Sequence, residues 1–202
     1  MNTKIIGSIV TIAIVVSLGG IYVLFNKPPA PLPILDTAPN FQLVDENNNP
    51  VTLNTYSGKV VILDFIYTNC PDPNYCPASS LKMRDIQDGL IKSGISSNDV
   101  HLLSISFDYV YDGPIQMKNY GNTYQANFNY WSFLSGNESV INIAESYGVI
   151  AQVDVNASAG LIPHTLNLSV VDQNGNLRVQ HFGSTWTSTK VISEVNNLLQ
   201  ES

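Results

Sequence analysis

Lys59-Val-Val-Ile-Leu-Asp-Phe-Ile-Tyr-Thr-Asn-Cys-Pro-Asp-Pro-Asn-Tyr-Cys-Pro77 holds a strand, a loop and the start of a helix in one short stretch. The run from Val60 to Tyr67 is rich in β-branched and aromatic residues, a composition that fits a buried strand. Thr68 and Asn69 end it, and a proline-studded loop follows that carries both cysteines of the chain, Cys70 and Cys76. Pro77 stands where the first turn of a helix accepts proline, since an N–H there has no helical partner to lose. Leu81, Met83, Ile86 and Leu90 then recur at helical spacing. The expectation is a strand that ends at Cys70 and a helix that begins near Cys76.

Two readings of the cysteines stand side by side. An even cysteine count in an exported domain commonly means a structural disulfide. Against that, a short local loop gains little from cross-linking, because the stabilisation grows with the length of the closed loop. A helix N-terminus also favours thiolate, the form that attacks disulfides and binds soft metals. Position therefore argues for a working pair.

Composition narrows the field. The 202 residues carry 9 Lys+Arg against 16 Asp+Glu, a net charge of −7, with no basic stripe. Nucleic acid is an unsuitable partner for such a chain, because its phosphates demand positive charge. Residues 5–25 contain no charge and are dominated by Ile, Val and Leu; as a helix they would rise about 32 Å, close to the thickness of a bilayer core. A cleaved signal peptide is the rival, but the apolar run is long and no A-x-A site follows. Residues 1–25 are thus expected to be an uncleaved membrane anchor, and 26–38, with Pro28, Pro29, Pro31 and Pro33, a stiff extended tether. The domain proper is expected over 39–202.

Working outward from the cysteine stretch, Phe41–Val44 and Val51–Leu53 flank a turn cluster and predict a hairpin. Downstream, Val100–Phe107 predicts a second buried strand, 115–124 a helix, and Trp131–Leu134 a short strand. Asn137 is placed to cap a helix carrying Val140, Ile143, Ala144 and Tyr147 on one face. Leu166–Val171 and Leu177–Phe182 form a hairpin about Asp172-Gln-Asn-Gly175, and Thr187 or Ser188 caps a final amphipathic helix. Strand–helix–strand followed by helix, hairpin and helix is the thioredoxin order. The fold class expected is α/β: a thioredoxin-like domain with a central mixed β-sheet flanked by helices, preceded by one transmembrane helix.

Of the three histidines, His164 lies just before the strand that begins at Leu166, in a loop that a thioredoxin-like fold packs beside the cysteine loop. Cys70, Cys76 and His164 would offer two thiolates and an imidazole, a set suited to copper as Cu(I) or Cu(II) and unsuited to Ca²⁺ or Mg²⁺. A closed structural zinc site usually wants a fourth protein ligand. On spacing alone a lone histidine is more often structural, and His101 and His181 are read that way.

These residues together resemble the Sco/SenC family. Gly58-Lys59, an apolar strand, Tyr67-Thr-Asn-Cys-Pro-Asp72 and Cys76-Pro77 follow the family pattern. Ser106-Phe-Asp108 with Asp112 and Pro114, Trp131-Ser-Phe-Leu-Ser-Gly136, and His164 ahead of Asp172-Gln-Asn-Gly175 follow it too. The likeness runs from about residue 38 to the C-terminus. The cysteines here are spaced Cys-x₅-Cys where the family has Cys-x₃-Cys, with Asn74 and Tyr75 as the extra residues. The resemblance implies a membrane-tethered, extracytoplasmic thioredoxin-fold protein that binds copper through Cys70, Cys76 and His164. It further implies a role in assembling the CuA centre of cytochrome oxidase, with the copper-site subunit of a terminal oxidase as partner. Asp72, Asp108 and Asp112 are candidates for shaping the surrounding loops.

Three roles remain open at this point: a copper metallochaperone, a thiol–disulfide oxidoreductase, and an anchored interaction domain with an inert bridge. In the second, Cys70 attacks and Cys76 resolves, keeping the cysteines of an oxidase copper site reduced.

Overall fold

The sequence condenses around a six-stranded sheet, seen in a computed structural model that describes residues 30–153 and 161–201. The apolar run is its central strand, β4 (Val60–Ile66), and every residue of it is buried. That accounts for a near-continuous hydrophobic strand, since both faces are covered. Its neighbours are β5 (Val100–Ser106), parallel to it, and β7 (Asn167–Val171), antiparallel. Beyond β5 lies β6 (Trp131–Leu134), parallel; beyond β7 lies β8 (Asn176–Phe182), antiparallel. The edge next to β8 is closed by β1 (Asp36–Thr37), giving the order β1-β8-β7-β4-β5-β6. A separate hairpin pairs β2 (Gln42–Val44) with β3 (Pro50–Thr52).

Four α-helices and one 3-10 turn (Leu53–Tyr56) complete the described residues: α1 (Cys76–Lys92), α2 (Pro114–Thr123), α3 (Val140–Ser146) and α4 (Ser188–Gln200). Helix α1 crosses from β4 to the parallel β5, and α2 from β5 to the parallel β6, as parallel pairing requires. The mixed sheet with flanking helices is the architecture expected. Asn137 does not cap α3: the N-cap is Ser139, and the Asn137 side chain accepts from the Ser139 N–H at 3.0 Å. It is Thr187 that caps α4, accepting from the Lys190 N–H.

The stretch expected to be a stiff extended tether, 26–38, is bonded to the domain at Leu32 and Pro33. Arg178, buried on β8, donates to the carbonyls of Leu32 and Pro33 and pairs with Asp172 and Glu201. A guanidinium has five donors in a fixed fork, so one side chain can gather all these acceptors. Residues from Leu32 onward form one compact unit. Among the described residues no helix is long and apolar enough to cross a membrane; the expected span 5–25 lies outside them.

Candidate metal centre

Strand β4 delivers the chain to the site and α1 carries it away. Thr68 follows the strand, and its N–H and hydroxyl both donate to the buried Asp112 carboxylate, at 2.8 and 2.5 Å. Ser106, at the end of β5, donates to the same carboxylate at 2.6 Å. Asp112 therefore ties the ends of the two central strands together two residues before Cys70. Asp108 accepts from the Tyr111 N–H and shapes the same loop. Asp72 spends its carboxylate on the turn, accepting from the Asn74 main chain at 2.9 Å, while its carbonyl lies 3.8 Å from Cys70 Sγ. Cys76 is the first residue of α1, with Tyr75 as N-cap and Pro77 behind it.

The third donor arrives from the opposite side. The loop 161–165 is held by a bridge between Ala151 and His164, by the Gln152 N–H to the Pro163 carbonyl (3.0 Å), and by the Ile162 N–H to the Tyr67 hydroxyl (3.2 Å). His164 Nδ1 donates to the Ile162 carbonyl at 2.8 Å, since a carbonyl can only accept. The proton of the neutral imidazole is thereby placed on Nδ1, and Nε2 presents its lone pair 3.4 Å from Cys76 Sγ. The ring is enclosed by Tyr67, Tyr75 and Phe107, with centroids at 5.4, 5.3 and 5.1 Å.

Cys70, Cys76 and His164 bring their ligand atoms within 4.8 Å of one another, the one such cluster among the described residues. Both cysteines are free thiols. They are electrostatically unequal. A hydrogen bond from Cys76 pulls the half-buried Cys70 down to about 5, with help from main-chain N–H groups and the Tyr67 hydroxyl, while burial opposes it. The same hydrogen bond, together with burial, pushes Cys76 up. The two thiols are thus shifted in opposite directions. Beneath them Asp64 is fully buried and accepts from Ser79 and Ser104, each at 2.6 Å, tying α1 one turn past Cys76 to β4 and β5. Burial pushes its carboxyl up to about 6. Two soft sulfurs and one imidazole nitrogen, with no carboxylate among them, fit copper better than a hard cation.

The SCO1/SenC family profile matches residues 31–200. The chain belongs to the SCO1/SenC family. It is 34% identical to the SCO1 protein homolog of Bacillus subtilis over 96 residues, 48% of this chain and 47% of the relative, so the match spans about half of that protein. A putative copper-binding protein of Stutzerimonas stutzeri is 31% identical over 150 residues, 73% of this chain and 70% of the relative. Among solved structures, Bradyrhizobium japonicum ScoI with copper bound superposes with a TM-score of 0.66 at 26% identity, covering 80% of this chain and 98% of that one.

All three residues singled out from the sequence meet at this site. His101 and His181 stand apart from it, one bonded to Ser132 and the other to Glu194. Sequence reasoning missed the aromatic enclosure and Asp64. Tyr67, Phe107 and Asp64 were absorbed into apolar strands, and a lone acid inside such a run was the available signal.

Proposed function

We propose that this chain is a membrane-anchored, extracytoplasmic copper-binding protein that passes copper to the copper-site subunit of a terminal oxidase, assisting assembly of its CuA centre. The observation that carries the reading is the tautomer of His164: its Nδ1–H is spent on a backbone carbonyl and its Nε2 lone pair faces two thiols. Copper is the cargo, and the residues divide the work of holding it. Cys70, partly exposed and low in pKa, meets the incoming ion; Cys76 closes on it from the helix N-terminus; His164 completes the set. Tyr67 and Asp112 keep the two loops in register. Copper bound by relatives supports the choice of metal. The anchor over 5–25 and the oxidase partner rest on the hydropathy of that stretch and on the family resemblance.

The test is copper stoichiometry and affinity of the reduced protein, wild type against His164→Ala. One copper per chain is expected for the wild type. Removing the imidazole should weaken Cu(II) binding by at least the ~100-fold that loss of an outer partner can cost, and Cu(I) binding far less, since Cu(I) is content with two thiolates. If both affinities survive the substitution, the three-donor site is wrong.

A second reading is favoured by the unequal thiols. Cys70 thiolate would attack an acceptor disulfide, forming a mixed disulfide and releasing one acceptor thiolate. Cys76, its proton passing to the acceptor thiolate already released, would then attack Cys70 Sγ, releasing the second thiolate and leaving the pair oxidised. Here His164→Ala would leave exchange untouched, which separates the two roles.

A further inference from the structure

The three donors are not equally reachable. Cys76 has no exposed surface, whereas Cys70 and His164 are half-buried. The way in is a cleft of about 280 Å³ that has Cys70 and His164 in its lining but not Cys76. Its lips are two large apolar residues left in solvent, Tyr75 at 41% and Leu161 at 66% exposure.

Tyr75 stands immediately before Cys76, in the part of the loop that makes the cysteine spacing long. Its N–H donates to the Asp72 carbonyl at 3.1 Å, and its carbonyl accepts from the Ser79 N–H at 2.9 Å, so its main chain is fixed on both sides. The ring lies edge-on to His164 at 67°. Tyr67 and Phe107, the other two rings around the imidazole, are wholly buried. Of the three, Tyr75 alone has one side in water. It is the part of the enclosure that can move without opening the core.

We propose that Tyr75 is the gate of this site: an arriving metal meets Cys70 and His164 first and gains Cys76 only after the Tyr75 ring swings off the imidazole. This rests on the copper reading above. Ring motion then sets the rate at which metal is taken up and given away.

The gate can be read without metal. In a Cys70→Ser background Cys76 is the only thiol of the chain. Its alkylation by iodoacetamide in the folded, reduced protein is followed by mass. Tyr75→Ala should raise that rate at least about tenfold, equivalent to ~1.4 kcal/mol less opening free energy. Tyr75→Phe should leave the rate near that of the parent, because the ring and not the hydroxyl closes the cleft. Tyr75→Leu repeats the test should the alanine variant fold poorly. Amide exchange along α1 must stay unchanged, which separates an opened gate from a frayed helix. A Cys76 rate unmoved by both the alanine and leucine changes, or one that rises only with faster exchange in α1, overturns the proposal. With both cysteines present, stopped-flow transfer of Cu(I) from a small chelator should accelerate in the same variants. If alkylation accelerates but no variant holds copper, the gate stands and the copper reading falls. If copper binds and alkylation is unmoved, the reverse follows.

Discussion

His164 and His101 sit at opposite ends of the same two strands. His101 lies at the start of β5, opposite Val61, and His164 packs on Tyr67 and Phe107, which follow β4 and β5. Both rest against aromatic rings; His101 stacks on Tyr56 at 4.7 Å and 23°. The difference lies in the nitrogens. His101 has Nε2 bonded to Ser132 at 2.9 Å and Nδ1 buried without a partner, so neither nitrogen faces a thiol. His164 has one nitrogen satisfied by main chain and the other facing two sulfurs. A histidine becomes a ligand where strands end and loops from two sides can converge. Inside a strand the same side chain is a dry packing unit.

The largest effect should break the comparison at the metal. Oxidising Cys70 and Cys76 to a disulfide should abolish copper binding, because two of three donors vanish. His101→Gln should leave copper stoichiometry at the wild-type value. Equal copper uptake by oxidised and reduced protein would move the site away from His164.

Next comes pH. Burial, with Lys59 adding to it, pushes His101 down from 6.5 to about 4. An unfolded chain therefore binds a proton between those values that the folded chain refuses, and stability falls as pH drops from 6.5 to 4. The loss is on the order of 3 kcal/mol. Asp64 works the other way: raised from 3.8 to about 6, its contribution is present at low pH and is lost as pH rises through 6. That change too is on the order of 3 kcal/mol. The two nearly cancel in the wild type. Denaturant titrations of the metal-free protein should show His101→Gln gaining stability on acidification from pH 6 to 4, relative to Asp64→Asn, which should lose it. Parallel pH profiles would contradict both assignments.

The smallest effect compares two hydroxyls. Ser132→Ala should cost about 1–2 kcal/mol of stability, because it leaves a buried ring nitrogen unpaired, and should not touch copper. Tyr67→Phe frees the Ile162 N–H and loosens the His164 loop. It should weaken Cu(II) binding several-fold, the equivalent of a lost hydrogen bond of about 1 kcal/mol. Calorimetric unfolding and Cu(II) titration of both variants would check this.

The strand Val60–Ile66 and helix α1 were legible because buried parallel strands and amphipathic helices write their periods directly into the residues. The hairpin about Gly175 was legible for a different reason: its φ of +81° suits glycine, and Asp172 accepts from the Asn174 and Asn176 N–H groups beside it. The three metal donors came from position and resemblance combined, not from spacing, since 88 residues separate Cys76 from His164. Strand β1 was not legible. Asp36-Thr37 lies within a proline-rich run, and its pairing depends on β8, far along the chain. The Ser139 cap was also hidden, because Asn137 satisfies the same composition rule two residues early.

Strand β1 does more than lengthen the sheet. An outermost strand with bare N–H and C=O groups is a template for another chain. Residues 35–38 occupy that template at the start of β8, bonding to Leu177 and Gly175. Arg178 holds the occupying segment from beneath through Leu32 and Pro33. Cutting the chain just after residue 38 would strip the cover and leave Arg178 without two of its acceptors. The shortened domain would then present Asn176 and Leu177, the start of β8, as bare edge. The few residues ahead of the hairpin thus cover a stretch of sheet edge, a duty separate from any they have in reaching a membrane.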